Sequence, residues 1–149
     1  MTEPPAPAIP GLSFVRKLGA GGYADVYLYE QALPARRVAV KVLRDAGVAR
    51  GVAQRFRSEA NAMAQLEHPH IVPVYATGST ADGRPYLVMM YYPRASLADR
   101  VRYERLGVAE ALRIGLQLAS AVETAHRSGL LPRVIKPANV LTNHYGTPA

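Results

Sequence analysis

The chain has 149 residues, 49% of them hydrophobic, which suffices for one ordinary domain, or part of a larger one, and is too short for two comfortable ones. It has no cysteine, so disulfides, thiolate zinc sites and thiol nucleophiles are excluded, and a reducing, cytoplasmic setting is expected. The net charge of +7 comes from 18 Lys and Arg against 11 Asp and Glu, but the basic residues are scattered and never form a block of five, so they read as a solvated surface without a nucleic-acid partner.

Met1 to Gly11 carries Pro4, Pro5, Pro7 and Pro10 among small residues and lacks the order of a secretory signal; it is predicted to be a disordered leader. Leu12 to Leu18, Ala24 to Tyr29 and Arg37 to Leu43 are short segments rich in Val, Leu and Tyr with Gly- or Pro-containing breaks, which predicts an antiparallel meander. From Ala49 to Leu66 the period changes. Val52, Phe56, Ala60, Met63 and Leu66 form one helical stripe, which His68-Pro69 ends. Ile71 to Ala76 and Pro85 to Tyr92 are predicted strands joined at Asp82-Gly83. Ser96 to Arg105 is a predicted short helix. Val108 to Ser128 is a long one, with Leu112, Leu116, Ala119, Val122 and His126 along one face and Gly129 placed as its terminating glycine. Polar residues interrupt Val108 to Leu131, so no membrane segment is expected.

The run Leu18-Gly19-Ala20-Gly21-Gly22-Tyr23-Ala24-Asp25-Val26 lies between two strands rather than between a strand and a helix. In that setting small residues let backbone N–H groups come close to phosphate oxygens, because no Cβ holds the loop away. Fifteen residues after Val26, Val38-Ala39-Val40-Lys41 sets a lysine in an apolar strand. Burying it would call for an anion, and Glu59 on the striped helix is the candidate; the plainer alternative is that both face solvent. His68, His70, His126 and His144 show no metal-ligand spacing, so they are expected to be structural or surface residues.

Taken together, these elements resemble the amino-terminal lobe of protein kinases, and their nearest likeness is the bacterial, actinobacterial-type Ser/Thr kinase group. The resemblance implies an α+β fold: a five-stranded antiparallel sheet with one helix, followed by the first helices and catalytic loop of an incomplete second lobe. It covers 12–149, divided into 12–92 for the first lobe and hinge and 93–149 for the second. It further implies ATP as ligand. The loop of Gly19, Gly21 and Gly22 would cover the phosphates, and Lys41 would hold the α- and β-phosphates while paired to Glu59. Leu18, Val26, Ala39 and Leu141 would sandwich adenine, Met89 would be the gatekeeper, and Met90 to Tyr92 would form the hinge. Ala24 departs from the pattern, which has a third glycine there.

Ala125 to Leu141 resembles the end of a helix plus the family's catalytic loop. Arg133, Lys136 and Asn139 match; Lys136 is the Ser/Thr-kinase version and would neutralise the transferring phosphoryl group, and Asn139 would hold magnesium. Pro132 stands in the histidine place and Val134 in that of the catalytic aspartate. A valine has no proton acceptor, and losing a positioned general base costs about 10²–10⁴ in rate. The Asp-Phe-Gly magnesium motif is expected within a few residues beyond Ala149, which leaves magnesium with an incomplete site. Three readings stay open: a kinase-derived chain that binds ATP and transfers phosphate poorly or not at all, part of a functional kinase acting on protein substrates, or an interaction module that regulates an intact kinase.

Overall fold

The computed structural model describes residues 5–45, 50–94, 96–131 and 136–141. The chain splits into two compact units, Met1–Ala64 with Pro73–Tyr91, and Gln65–Val72 with Tyr92–Ala149.

The first unit is an antiparallel sheet of five strands, β1 (Leu12–Ala20), β2 (Ala24–Gln31), β3 (Arg36–Leu43), β4 (Val74–Ser79) and β5 (Pro85–Met90), in the order β1-β2-β3-β5-β4. Helix α1 (Arg50–Ala64) packs on β4 and β5. Ala60, at the centre of its predicted stripe, is buried. Period-2 alternation sorts the strands into two faces. Tyr27 lies opposite Val40, Tyr29 opposite Val38, Val88 opposite Val40 and Tyr86 opposite Val42, so these residues share one face. Val38, Val40 and Val42 are completely buried there, each worth about 1.5–3 kcal/mol of transfer free energy. Phe14, Tyr27 and Tyr29 meet edge to face, with ring centroids 5.9, 6.1 and 6.4 Å apart.

The leader corrects the expectation of disorder where it is described. Pro7 is buried, Ile9 joins the Tyr27, Tyr29, Val38 and Val40 cluster, and the Tyr29 hydroxyl donates to the Pro7 carbonyl at 2.5 Å. Gly11 takes φ +77, and the Ile9 carbonyl accepts from Leu12 N–H at 3.1 Å, which folds the segment back over the sheet. Its composition is that of a disordered chain, but a sheet face with two tyrosines needs a cover, and Ile9 supplies apolar surface for it. Burial, with a smaller contribution from Tyr27, pushes the Tyr29 phenol up to about 12.

Strand β4 begins three residues later than Ile71, the expected start, and ends three later than Ala76. Pro73 has no N–H for the ladder, although its carbonyl accepts from Met90 N–H at 3.0 Å. The β4–β5 turn is also longer than an Asp82-Gly83 pair. Thr80 N–H donates to the Arg84 carbonyl and Gly83 N–H to that of Thr80, both at 2.9 Å, with Gly83 at φ +83. Gly78 makes room for Tyr86: a Cβ there would lie 2.5 Å from the Tyr86 hydroxyl oxygen, so the ring would have to shift.

The second unit contains α2 (Leu97–Tyr103), α3 (Val108–Arg127) and a 3-10 turn over Pro137–Asn139. Ser96 and Asp99 form a reciprocal capping box at the start of α2. Helix α3 ends at Ser128, and Gly129 follows at φ +77, donating to the His126 carbonyl at 3.0 Å as the sequence leads one to expect. Helix α3 packs through a face other than the expected stripe of Leu112 and Leu116, which stays uncovered. Ile114, Ala121 and Ala125 are buried and Leu118 partly so, whereas Leu112 and Leu116 are 64% and 73% exposed. The helix is apolar on two sides, and periodicity alone cannot choose between them. Among the described residues no helix is long and apolar enough to cross a membrane.

Candidate functional site

The sheet face opposite the Tyr27–Val40 cluster carries four of the residues that the sequence singles out. Val26 lies opposite Lys41, Leu28 opposite Ala39, and Ala39 opposite Met89, so Val26, Ala39, Lys41 and Met89 share this face. Gly19 pairs with Val26 at its edge, and the β1–β2 register slips between Lys17 and Gly19, around Leu18. Ala39 is buried, Leu18, Val26, Met89 and Met90 are half-buried, and Lys41 is exposed. Glu59 is also exposed, on α1. Among the described residues Lys41 enters no ion pair, so the burial argument for pairing it to Glu59 does not apply to this geometry. The cause is register: alternation sends Val40 and Val42 into the core and Lys41 the other way.

Between β1 and β2 the loop is tight but uncrowded. Gly21 N–H donates to the Ala24 carbonyl at 2.8 Å. Neither Gly19 nor Gly22 has a positive φ, and a Cβ at either position would meet nothing within 4 Å. Nothing among the described residues therefore requires glycine at these two positions. Among the described residues the N–H groups of Gly22 and Tyr23 have no protein acceptor and stand open at the loop tip. Ala24, the departure from a third glycine, is buried with an ordinary backbone.

Sequence reasoning missed the most strongly held charge in this unit. Asp25 is 4% exposed, and its carboxylate accepts from Arg44 Nε at 3.3 Å and Nη2 at 3.1 Å, with Lys17 Nζ at 3.4 Å. Arg44 Nη2 also donates to the Gly21 carbonyl at 2.6 Å, and Arg44 N–H to that of Tyr23 at 2.8 Å. Burial pushes the Asp25 carboxyl up, but the hydrogen bond and charge of Arg44, helped by Lys17, outweigh it and hold the group below the usual carboxylate range. The ionised form is thus favoured by folding, a contribution present at neutral pH and lost as pH falls through the lowered value. An aspartate between Ala24 and Val26, in a strand otherwise without charge as far as Tyr29, was the available signal, because such a charge demands a cation if it is buried.

In the second unit Lys136 and Asn139 are exposed, and Leu141 and Tyr92 are half-buried. Asn139 N–H donates to the Lys136 carbonyl at 2.9 Å, and Leu97 N–H to that of Val140 at 2.8 Å. Val140 is buried with Leu97 and Ile114, so the turn carrying Asn139 is pinned to the start of α2. Pro132, Arg133 and Val134 lie outside the described residues.

Comparison with known proteins gives one consistent picture. A protein kinase domain model matches residues 12–147. The chain is similar to the serine/threonine-protein kinase PknK of Mycobacterium tuberculosis, 44% identical over 140 residues that cover 93% of this chain and 12% of that protein. It is also similar to PrkC of Bacillus subtilis, 39% identical over 134 residues, 89% of this chain and 20% of that protein. Among solved structures, a PknI kinase domain of Mycobacterium tuberculosis superposes with a TM-score of 0.77 at 33% identity, covering 91% of this chain and 56% of that one. The chain thus spans a minor part of these curated relatives and about half of the solved domain.

Proposed function

The chain belongs to the protein kinase domain family, with bacterial serine/threonine kinases as its relatives, and from that premise we propose that it binds ATP on the Val26–Lys41–Met89 face of its sheet. The observation that carries this reading is the glycine loop. Gly19 and Gly22 are spared a Cβ that no neighbour forbids, beside two open N–H groups and on the edge of the face that presents the exposed Lys41 ammonium. That combination suits a polyanion: the bare backbone admits phosphate oxygens, and the ammonium meets their charge.

Residue roles follow the site's chemistry. Leu18, Val26 and Ala39 offer apolar surface to a base. Met89 bounds that surface, and Met90 to Tyr92 offer backbone groups for the base edge; the N–H of Met90 is already taken by Pro73. Glu59 would orient Lys41 once phosphate draws the lysine in. Among the described residues no group of three or more His, Asp or Glu side chains could hold a metal by itself. Magnesium would therefore come on the nucleotide; by family likeness Asn139 is the candidate protein oxygen ligand for it and Lys136 the candidate partner of a phosphoryl group. The family's chemistry moves that phosphoryl group to a serine or threonine hydroxyl of a protein substrate, and the hydroxyl proton needs an acceptor. Val134 supplies none, so transfer by this chain is slow or absent.

Calorimetry with ATP and magnesium tests binding. The chain should give a saturable heat that Lys41→Ala weakens strongly and Glu59→Ala weakens less; a folded sample with no response overturns the reading. Radiolabelled phosphate transfer to a Ser/Thr peptide should stay at background, and turnover by the unmodified chain would refute the role given to Val134.

A further inference from the structure

We propose that Arg44 is a positioning residue for the glycine loop: it ties the loop to the end of β3 through Asp25 and the Gly21 carbonyl, so that the loop's N–H groups are set for phosphate before nucleotide arrives. The proposal rests on the ATP reading above and adds a residue that touches neither nucleotide nor metal.

Three features carry it. Arg44 makes contacts at both ends of the loop, at Gly21 through its side chain (2.6 Å) and at Tyr23 through its backbone N–H (2.8 Å). Its guanidinium is anchored on Asp25 by two hydrogen bonds, a planar fork that a lysine cannot reproduce. The anchor also lies on the right side of the sheet. Asp25 alternates with Val26, so its carboxylate sits on the Tyr27 face while Val26 and Lys41 line the other. The clamp therefore grips the loop from behind and leaves the phosphate side clear. Lys17, against the same Asp25 oxygen at 3.4 Å, holds the carboxylate to β1 as well, so both strands flanking the loop meet at one charge.

A free glycine-rich loop would lose conformational entropy on binding, and a loop already ordered loses less. Only ligands with phosphates should feel the difference. The cost of losing the clamp should fall on ATP and spare adenosine, which lacks the groups the loop would cover.

The test compares ATP and adenosine binding by calorimetry for the wild-type chain, Arg44→Ala and Arg44→Lys. Amide hydrogen exchange of the nucleotide-free proteins is measured alongside. The Arg44 side chain is 42% exposed and Lys17 stays against Asp25 in both variants, so both are expected to fold. Arg44→Ala should weaken ATP about 10-fold, a typical coupling between sites that do not touch, and leave adenosine unchanged. Arg44→Lys should fall between, because it keeps charge without the fork. Exchange of the Gly21 amide, which donates to the Ala24 carbonyl, should speed up in Arg44→Ala while Val38 to Val42 stay as protected as in wild type. Equal ATP affinity in wild type and Arg44→Ala overturns the proposal while leaving ATP binding intact, as does equal weakening of ATP and adenosine. Unchanged exchange at Gly21 overturns it even if no nucleotide binds. Absence of ATP binding by wild type, with faster loop exchange in Arg44→Ala, overturns the ATP reading and with it the phosphate role of a clamp that exists.

Discussion

The two units spend their apolar residues differently. In the sheet unit Leu28, Tyr29, Val38, Val40, Val42 and Leu43 are all at most 1% exposed. In the helical unit the buried cluster is Leu97, Ile114 and Val140, while Tyr103, Val108, Leu112, Leu116 and Leu131 are each more than 60% exposed. The sheet unit is thus packed on its own terms and presents the proposed phosphate-binding surface as a by-product of strand alternation. The helical unit holds Lys136 and Asn139 on a turn fixed by one small cluster. A site can be legible in both places, yet only the first has a scaffold that fixes it independently.

That contrast breaks most readily under truncation of a core side chain. Leu28→Ala should cost about 2–5 kcal/mol, as buried leucine truncations do, whereas Leu116→Ala should change stability by no more than about 0.5 kcal/mol. Urea unfolding of both variants checks this, and similar costs would erase the distinction between the units. A smaller effect is expected at the leader. Tyr29→Phe removes the hydroxyl bound to Pro7 and should cost about 0.5–1.5 kcal/mol. The pH dependence sharpens it: folding favours the neutral phenol, so the wild type should lose stability as pH rises from the ordinary tyrosine value, about 10, towards the raised one, about 12. Unfolding midpoints of Tyr29→Phe should show a smaller loss, the remainder coming from Tyr27, whose phenol burial also raises, and parallel alkaline curves would show that folding does not bury the Tyr29 phenol. The smallest effect on stability should come from Gly22→Val, within about 0.5 kcal/mol, because a Cβ there meets nothing. Its ATP affinity should nonetheless collapse. A variant that loses stability and keeps ATP would mean that glycine serves the fold after all.

Much of this was open to reading from the sequence, and the failures have physical causes. Alternation in Val38 to Val42 and the three-to-four spacing of Val52, Phe56 and Ala60 are local signals, and the strands and helix they announce are there. The glycine loop between two strands and the lysine of β3 could be located without knowing any contact. Hidden from inspection was whatever depends on register or on a distant partner. Arg44 meets Asp25 from 19 positions away, and Tyr29 meets Pro7 from 22. The buried side of α3 was likewise undecidable, since Leu112 and Ile114 are equally apolar and only the neighbours select one. The exposed state of Lys41 follows from which face of β3 becomes the core, again a property of pairing.

The most direct test of the central claim is where ATP acts on the backbone. Amide shifts followed by NMR through a titration with ATP and magnesium should move at Gly19 to Val26, around Lys41 and at Met89 to Tyr91, with those of Val108 to Ser128 nearly still. Saturable shifts confined to α3, or absent from the loop between β1 and β2, would contradict the account.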